Sequence, residues 1–321
     1  MKRNVTLDII RLYAACLVVM IHAYDSSMGN IAGYILNGMT GQAVPFFFIL
    51  SGYFFSGKKI YEQNNKYIIY TLKIYMIWQL LWGAWSISIY AKLYADRSVL
   101  YIIGVLLRRI FLAGNGVYWY LLVLAEALWI LKLFYKKKWM PYLYVISLIG
   151  GIWGVLYDLG IEIWKLNSAC YFVFSWSNNV VMKGIPFVTI GYLFRKYKES
   201  KNILVPSIIC YMLLSILSLS YGAEMSRFSP WTGLLAILLF GIGVSYVSNM
   251  NEEKARECRN LSSVIYCMHT VFLYFEQSFC PFMIRTGYWN YLLVVTLCIL
   301  CYFIAKKMNN KYIDWLFMFS R

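Results

Sequence analysis

Apolar stretches of about eighteen residues or more recur from one end of this chain to the other, separated by short basic loops. No other feature limits the fold as tightly. Coiled as a helix, such a stretch crosses a hydrocarbon core about 30 Å thick. Inside lipid only helices and closed barrels satisfy their own backbone groups, and a barrel would show alternating segments of about 10 residues instead. The sequence therefore predicts an all-α, polytopic transmembrane helical bundle. Composition points the same way: only 14% of the 321 residues are charged and 61% are hydrophobic, where soluble domains are about a quarter charged.

Ten spans are expected, near 7–24, 41–57, 67–91, 117–134, 141–157, 180–194, 203–221, 231–248, 261–277 and 288–305. No small-residue cleavage site follows the first, which reads as a retained helix and not a signal peptide. The net charge of +16 would point to nucleic acid in a soluble chain. Here the lysines and arginines lie in short loops. With the N-terminus inside, nineteen fall in inner loops and seven (Lys92, Arg97, Arg108, Arg109, Lys165, Arg227 and Arg285) in outer ones. The positive-inside rule then places both termini in the cytoplasm, and no nucleic-acid partner is expected. No repeat, low-complexity tract or soluble tail is visible, so residues 1–321 read as a single integral membrane domain.

Two outer segments are long. Residues 92–116 include "VLYIIGVLLRRIFLAGNG", too charged for a clean span and read as an interfacial or re-entrant helix. Residues 158–179 are a polar-aromatic mixture. Both are placed to cover a site that opens outward. The eight cysteines fall mostly within apolar spans, where free cysteine packs as a small hydrophobe. Cys298 and Cys301 have Cys-x-x-Cys spacing but no second pair completes a zinc site, and no metal is expected.

Ionisable side chains inside apolar spans are costly and mark functional positions by default. The first span, "DIIRLYAACLVVMIHA", carries Asp8, Arg11 and His22. Eleven helical steps leave Arg11 and His22 about 20° apart on one face and about 16 Å apart along the axis, with Asp8 on the same side. An anion-binding group thus lies towards the cytoplasm and a proton-transfer group towards the exterior. The plainer alternatives are a snorkelling Arg11 or one paired with Asp8, and a His22 that packs at the interface. In "VPFFFILSGYFFSGKK", Pro45 should start or bend the second helix and Ser51-Gly52 can relax it. Lys73 lies about two turns into the third span, where a snorkelling lysine is the competing reading. Glu126 sits mid-span in "VYWYLLVLAEALWI", whose Tyr118–Tyr120 start doubles as an interfacial belt. His269, the second histidine, and Glu276 lie in "LSSVIYCMHTVFLYFE".

Taken in order, these elements resemble the acyltransferase family 3 membrane proteins over almost the whole chain. Arg11 and His22 match the family's arginine, ten residues, then histidine. "VPFFFILSGYFFSGK" is similar to its aromatic run ending in Ser-Gly-Tyr/Phe. "YWYLLVLAEAL", "KGIPFVTIGYLFRK" and "LSSVIYCMH" are similar to its later elements. The resemblance implies transfer of an acetyl or other acyl group from cytoplasmic acetyl-CoA to a hydroxyl of an extracytoplasmic glycan or glycolipid, in the cytoplasmic membrane of a bacterium. The matched arginine would meet the CoA phosphates and the matched histidine would act as base. On this basis the candidates for chemistry are His22, Arg11, Asp8, Glu126 and His269, and those for holding acetyl-CoA are Arg11, Lys73, Ser51 and Tyr120. Glu126 or Glu276 would orient a histidine or bind sugar. The partners implied are acyl-CoA, the surface glycan and the lipid bilayer, with room for a homo-oligomer.

One departure stands out. Where many members carry several arginines entering the third span, this chain reads "KYIIYTLKIYMIW", and Lys73 occupies one matching position. Lysine neutralises phosphate but lacks the bidentate fork of arginine. The membrane part of the vancomycin-resistance serine racemases is related, so the alternative function is a small-molecule (amino-acid) transporter whose buried charges line an alternating-access path. A structural export partner with degenerate sites is a third possibility, disfavoured by the intact Arg11/His22 pair.

Overall fold

A computed structural model describes residues 4–23, 39–62, 65–93, 96–108, 116–158, 179–197, 204–220, 230–246, 248–279 and 288–319. Among them there is no strand. The helices are α1 (Val5–Ala23), α2 (Ala43–Phe54), α3 (Lys66–Leu93), α4 (Val99–Arg108), α5 (Trp119–Lys136), α6 (Met140–Asp158), α7 (Ile185–Lys196), α8 (Leu204–Ser220), α9 (Pro230–Ser245), α10 (Glu252–Phe279), α11 (Tyr288–Met308) and α12 (Lys311–Leu316). Each of the ten apolar segments read from the sequence is occupied by one of these helices, so the all-α class holds. By length and composition, Val5–Ala23 and Trp289–Met308 can each cross a membrane, and Ala43–Gly57, Met140–Leu156, Leu204–Ile216 and Trp231–Ser245 are shorter apolar helices.

Local chemistry explains where several helices begin and end. Pro45 falls in the first turn of α2, where its missing N–H costs nothing. The helix runs through Ser51 and Gly52 without a break and widens into a π-turn only at Phe55–Lys59. There the Ser56 hydroxyl donates to the Gly52 carbonyl at 2.6 Å. A second π-turn, Val180–Gly184, leads into α7 and is capped by Asn179, whose side chain accepts from the Val181 and Met182 amides. The start of α10 lies nine residues before the apolar segment that marked it. Its first turns, "EEKARECRN", are charged, so hydropathy misses them. Glu252 and Glu253 sit favourably at the helix N-terminus, and Asn251 accepts from the Glu253 amide. Residues 92–116 do contain a short helix, α4, and its described side chains are mostly exposed. Residues 109–115 and 159–178 lie outside the described residues, and with them Arg109, Lys165 and most of the second outer segment.

The chain divides into two compact units, Met1–Phe47 with Lys198–Arg321, and Phe48–Tyr197. In the first, α1 packs along α10 in parallel, with α11 and α9 also against it, and α8 pairs with α9. Ala15, Val19 and Ala23 of α1 meet Ile265 and Leu273 of α10 and Val294 and Cys298 of α11. The alanines let the backbones approach closely, as small residues do at membrane helix interfaces. The N-terminal end of α1 is tied to the end of α9: Asn4 donates to the Gly243 carbonyl at 3.0 Å, and Thr6 donates to the Tyr246 carbonyl at 2.8 Å. At the base of α11, Lys306 pairs with Glu257. Both are exposed, so the pair contributes little to stability.

In the second unit α3 packs on α5, and α6 and α5 pack on α7. The crossing of α2 and α7 is tight. A Cβ on Gly52 would stand 2.3 Å from the Val188 carbonyl oxygen, and one on Gly191 would stand 2.1 Å from that of Ile49. Gly104 of α4 has nothing within 4 Å. Gly104→Ala is therefore expected to stabilise the protein by about 0.5–1 kcal/mol through lower backbone entropy in the unfolded chain, read as a small rise in Tm.

Lys59, in the π-turn, holds its ammonium 3.4 Å from the centre of the Tyr67 ring. Burial brings its pKa from 10.5 down to about 8, with the Glu62 carboxylate pulling weakly the other way. Between these values the unfolded chain binds more protons than the folded one, so stability rises as pH goes from about 8 to 10.5. Lys59→Met is expected to flatten that rise in a Tm-against-pH series.

Outward-facing positions are strongly apolar. Tyr142, Val145, Ile149 and Ile152 form one exposed stripe along α6. Val205, Ile209, Met212 and Ile216 form another on α8, and Leu292, Leu300, Phe303 and Ile304 face out from α11. Contiguous apolar surface of this kind needs a non-aqueous neighbour.

Candidate functional site

The first unit brings together several of the residues picked out from the sequence. Along the α1–α10 seam, Arg11 meets Ser263: its Nη2 donates to the serine hydroxyl at 3.4 Å. The guanidinium makes no ion pair with Asp8 or with any other described residue, and its Nε is buried without a hydrogen-bond partner. Self-neutralisation with Asp8 is thus not how this charge is accommodated. Asp8 is itself buried and lies near Cys258 of α10. Burial first, and then the Asp8 charge, pushes that thiol up.

At the other end of the same seam, the His22 and His269 rings stand 5.5 Å apart, centre to centre, tilted by 31°. His22 is exposed and His269 fully buried. The Nδ1 of His269 lies 2.8 Å from the Ile265 carbonyl oxygen. A carbonyl only accepts, so Nδ1 carries the proton, and in the neutral ring Nε2 holds the lone pair. That nitrogen is buried and has no partner among the described residues. The two histidines of this chain are 247 residues apart in sequence. Parallel packing of α1 on α10 makes them neighbours.

Four other candidates lie in the second unit. Ser51 of α2 and Tyr120 of α5 share a hydrogen bond at 3.3 Å, and the Tyr120 ring rests on Phe48 at 4.7 Å. Glu126 is half-buried one and a half turns further along α5, within electrostatic reach of Tyr75 on α3. Lys73 is exposed on α3. The structure therefore groups Arg11, Asp8, His22 and His269 in one unit, and Ser51, Tyr120, Glu126 and Lys73 in the other.

Two residues at the seam were not picked out from the sequence. Ser263 holds Arg11. Asn290, in the first turn of α11, donates from Nδ2 to the Ala23 carbonyl at 3.3 Å, beside His22. A lone asparagine at the start of an otherwise apolar run was a usable signal for the second. Ser263, in a Ser-Ser pair, gave none.

Helices that are apolar on their outer faces, with a guanidinium and two imidazoles along the seam of α1 and α10, define a helical membrane protein with a polar site on that seam. The acyltransferase-domain profile of acyltransferase family 3 matches residues 4–318, and the chain belongs to that family of membrane proteins. A curated relative, an amino-acid racemase of Enterococcus faecalis, is 24% identical over 338 aligned residues, covering 94% of this chain and 45% of the relative. The chain thus spans less than half the length of that relative. No solved structure matches it significantly.

Proposed function

We propose that the chain is a membrane O-acyltransferase that moves an acetyl group from cytoplasmic acetyl-CoA to a hydroxyl of an extracytoplasmic glycan, across ten spans with both termini in the cytoplasm of a bacterium. Residues 1–321 serve this one activity. Family membership supports acyl transfer in general. The single observation that carries the finer reading is the α1 seam: an arginine whose buried Nε donor is unused among the described residues at one end, and a histidine pair at the other.

Arg11 is the seat of the CoA phosphates. A guanidinium without a carboxylate partner offers its fork to an anion, and the loop charges set this end towards the cytoplasm. The pantetheine arm runs along α1, about 16 Å from Arg11 to His22. At His22 the acceptor hydroxyl attacks the thioester carbonyl. The acceptor oxygen forms the new C–O bond, the C–S bond breaks, and the hydroxyl proton passes through His22 to the departing CoA thiolate. Proton transfer of this kind is worth typically 10²–10⁴-fold. His269, with its tautomer set by Ile265, stands beside the base and fixes its surroundings. Asp8 contributes charge near the arginine end. Lys73, Ser51 and Tyr120 keep the cofactor-side role that the resemblance assigns them, and Glu126 a supporting one in the chemistry.

The test is thermal stabilisation of the purified protein. Coenzyme A should raise Tm, and Arg11→Ala should remove that rise. Stabilisation by small amino acids and none by CoA would instead favour transport.

A further inference from the structure

The end of the first unit where α1 stops holds buried polar side chains whose hydrogen-bonding capacity is not used among the described residues. His269 is 0% exposed, and with Nδ1 spent on Ile265 its Nε2 is left without a partner. Asn290 is 3% exposed, and with Nδ2 spent on Ala23 its Oδ1 is left over. Glu276 is 2% exposed and neither carboxylate oxygen has a partner. Seven helical steps put His269 and Glu276 within about 20° of each other on α10 and about 10 Å apart along its axis. Asn290 is fastened to the residue that follows His22, and His22 faces His269 at 5.5 Å.

All four leftover atoms, His269 Nε2, Asn290 Oδ1 and the two oxygens of Glu276, are acceptors when the carboxyl is ionised. A buried acceptor left unpartnered carries its full desolvation penalty, and a charged one a larger penalty. An apolar side chain of the same size would pack without that cost. Packing therefore does not explain the set, whereas a ligand that supplies donors does.

We propose that His269, Asn290 and Glu276 form the subsite for the acyl acceptor. The acceptor turns towards them a face of O–H and N–H donors, as a polyol or amino alcohol does, and its reacting hydroxyl lies at His22. Calling the ligand the acceptor rests on the acyl-transfer reading above; the binding itself does not. The donors come from hydroxyls alone or from an ammonium group as well, and the carboxylate of Glu276 answers both.

The experiment is isothermal titration of the purified full chain, without acyl-CoA, using three probes: methyl glucoside, glucosamine, and the fully O-methylated glucoside, which keeps the ring and lacks every donor. The free sugars are expected to bind saturably and the methylated one not. Tighter glucosamine binding identifies an ammonium as the source, and equal binding identifies hydroxyls. Glu276→Gln, checked for a monodisperse profile, should weaken binding by tenfold or more, since the amide puts a donor where the carboxyl oxygens accept. Equal binding of the methylated probe, no saturable binding of either free sugar, or full affinity in a folded Glu276→Gln protein would each overturn the subsite. Wild-type comparison of the probes decides the matter even if the variant does not fold. Lost sugar binding with intact acetyl transfer counts against this subsite alone. Intact sugar binding without acetyl transfer counts against the acyltransferase reading alone.

Discussion

His22→Ala is expected to lower acetyl transfer by about 10²–10⁴-fold, the usual contribution of a positioned general base, while CoA still raises the Tm of the variant. That factor corresponds to about 3–5 kcal/mol of transition-state stabilisation. The split between chemistry and binding is the informative part. His22 lies eleven residues and about 16 Å along α1 from Arg11, so removing the imidazole leaves the proposed phosphate seat and its Ser263 contact intact. The loss should appear in kcat with labelled acetyl-CoA. His22 is exposed on the helix and lies outside the cluster built on Ala15, Val19 and Ala23, so the variant should fold. Full transfer by His22→Ala would remove the base role assigned here. His269→Ala probes the neighbour differently, because it vacates a fully buried site. A fall in both Tm and activity would mix packing with chemistry, which is why the exposed histidine is the cleaner test.

The largest effect on stability is expected at Gly191. Its methyl group would arrive 2.1 Å from the Ile49 carbonyl oxygen and 2.8 Å from the Tyr53 amide nitrogen. Both are backbone atoms of α2, so no rotamer change relieves the clash and the two helices must separate. Overpacking typically costs about 1–3 kcal/mol and occasionally more, and a backbone obstacle puts Gly191→Ala at the upper end. Gly52→Ala strikes the same crossing from the other side, 2.3 Å from the Val188 carbonyl oxygen. The two substitutions share one displacement, so their double variant should lose less than the sum. The sign is the test: the same replacement at Gly104, in open space, should stabilise. An unchanged Tm for Gly191→Ala in detergent would mean that α2 and α7 are not in backbone contact.

Much of the helical layout is legible in the amino-acid sequence. Ten apolar segments form helices with ends close to those expected, except where polarity hides helical turns, as in the charged start of α10. The facing of Arg11 and His22 is legible too, because helical azimuth depends on residue spacing alone. Their partners are not. The nearest carboxylate in sequence, Asp8, makes a plausible mate for Arg11, yet the guanidinium contacts Ser263. His269 stands out as a buried histidine, with no hint in its spacing that it faces His22.

What the sequence by itself determined, then, is the helical class and the placement of the apolar segments. Backbone hydrogen bonds must close within each helix in an apolar setting, and that demand is met residue by residue along the chain. Only the tertiary structure decided which side chains meet. Parallel packing of α1 on α10, close because Ala15, Val19 and Ala23 are small, brought together histidines 247 residues apart. Nε2 of His269 and the carboxyl oxygens of Glu276 are buried without hydrogen-bond partners among the described residues. Such juxtapositions depend on the shapes of two distant surfaces at once, and no local spacing rule encodes them.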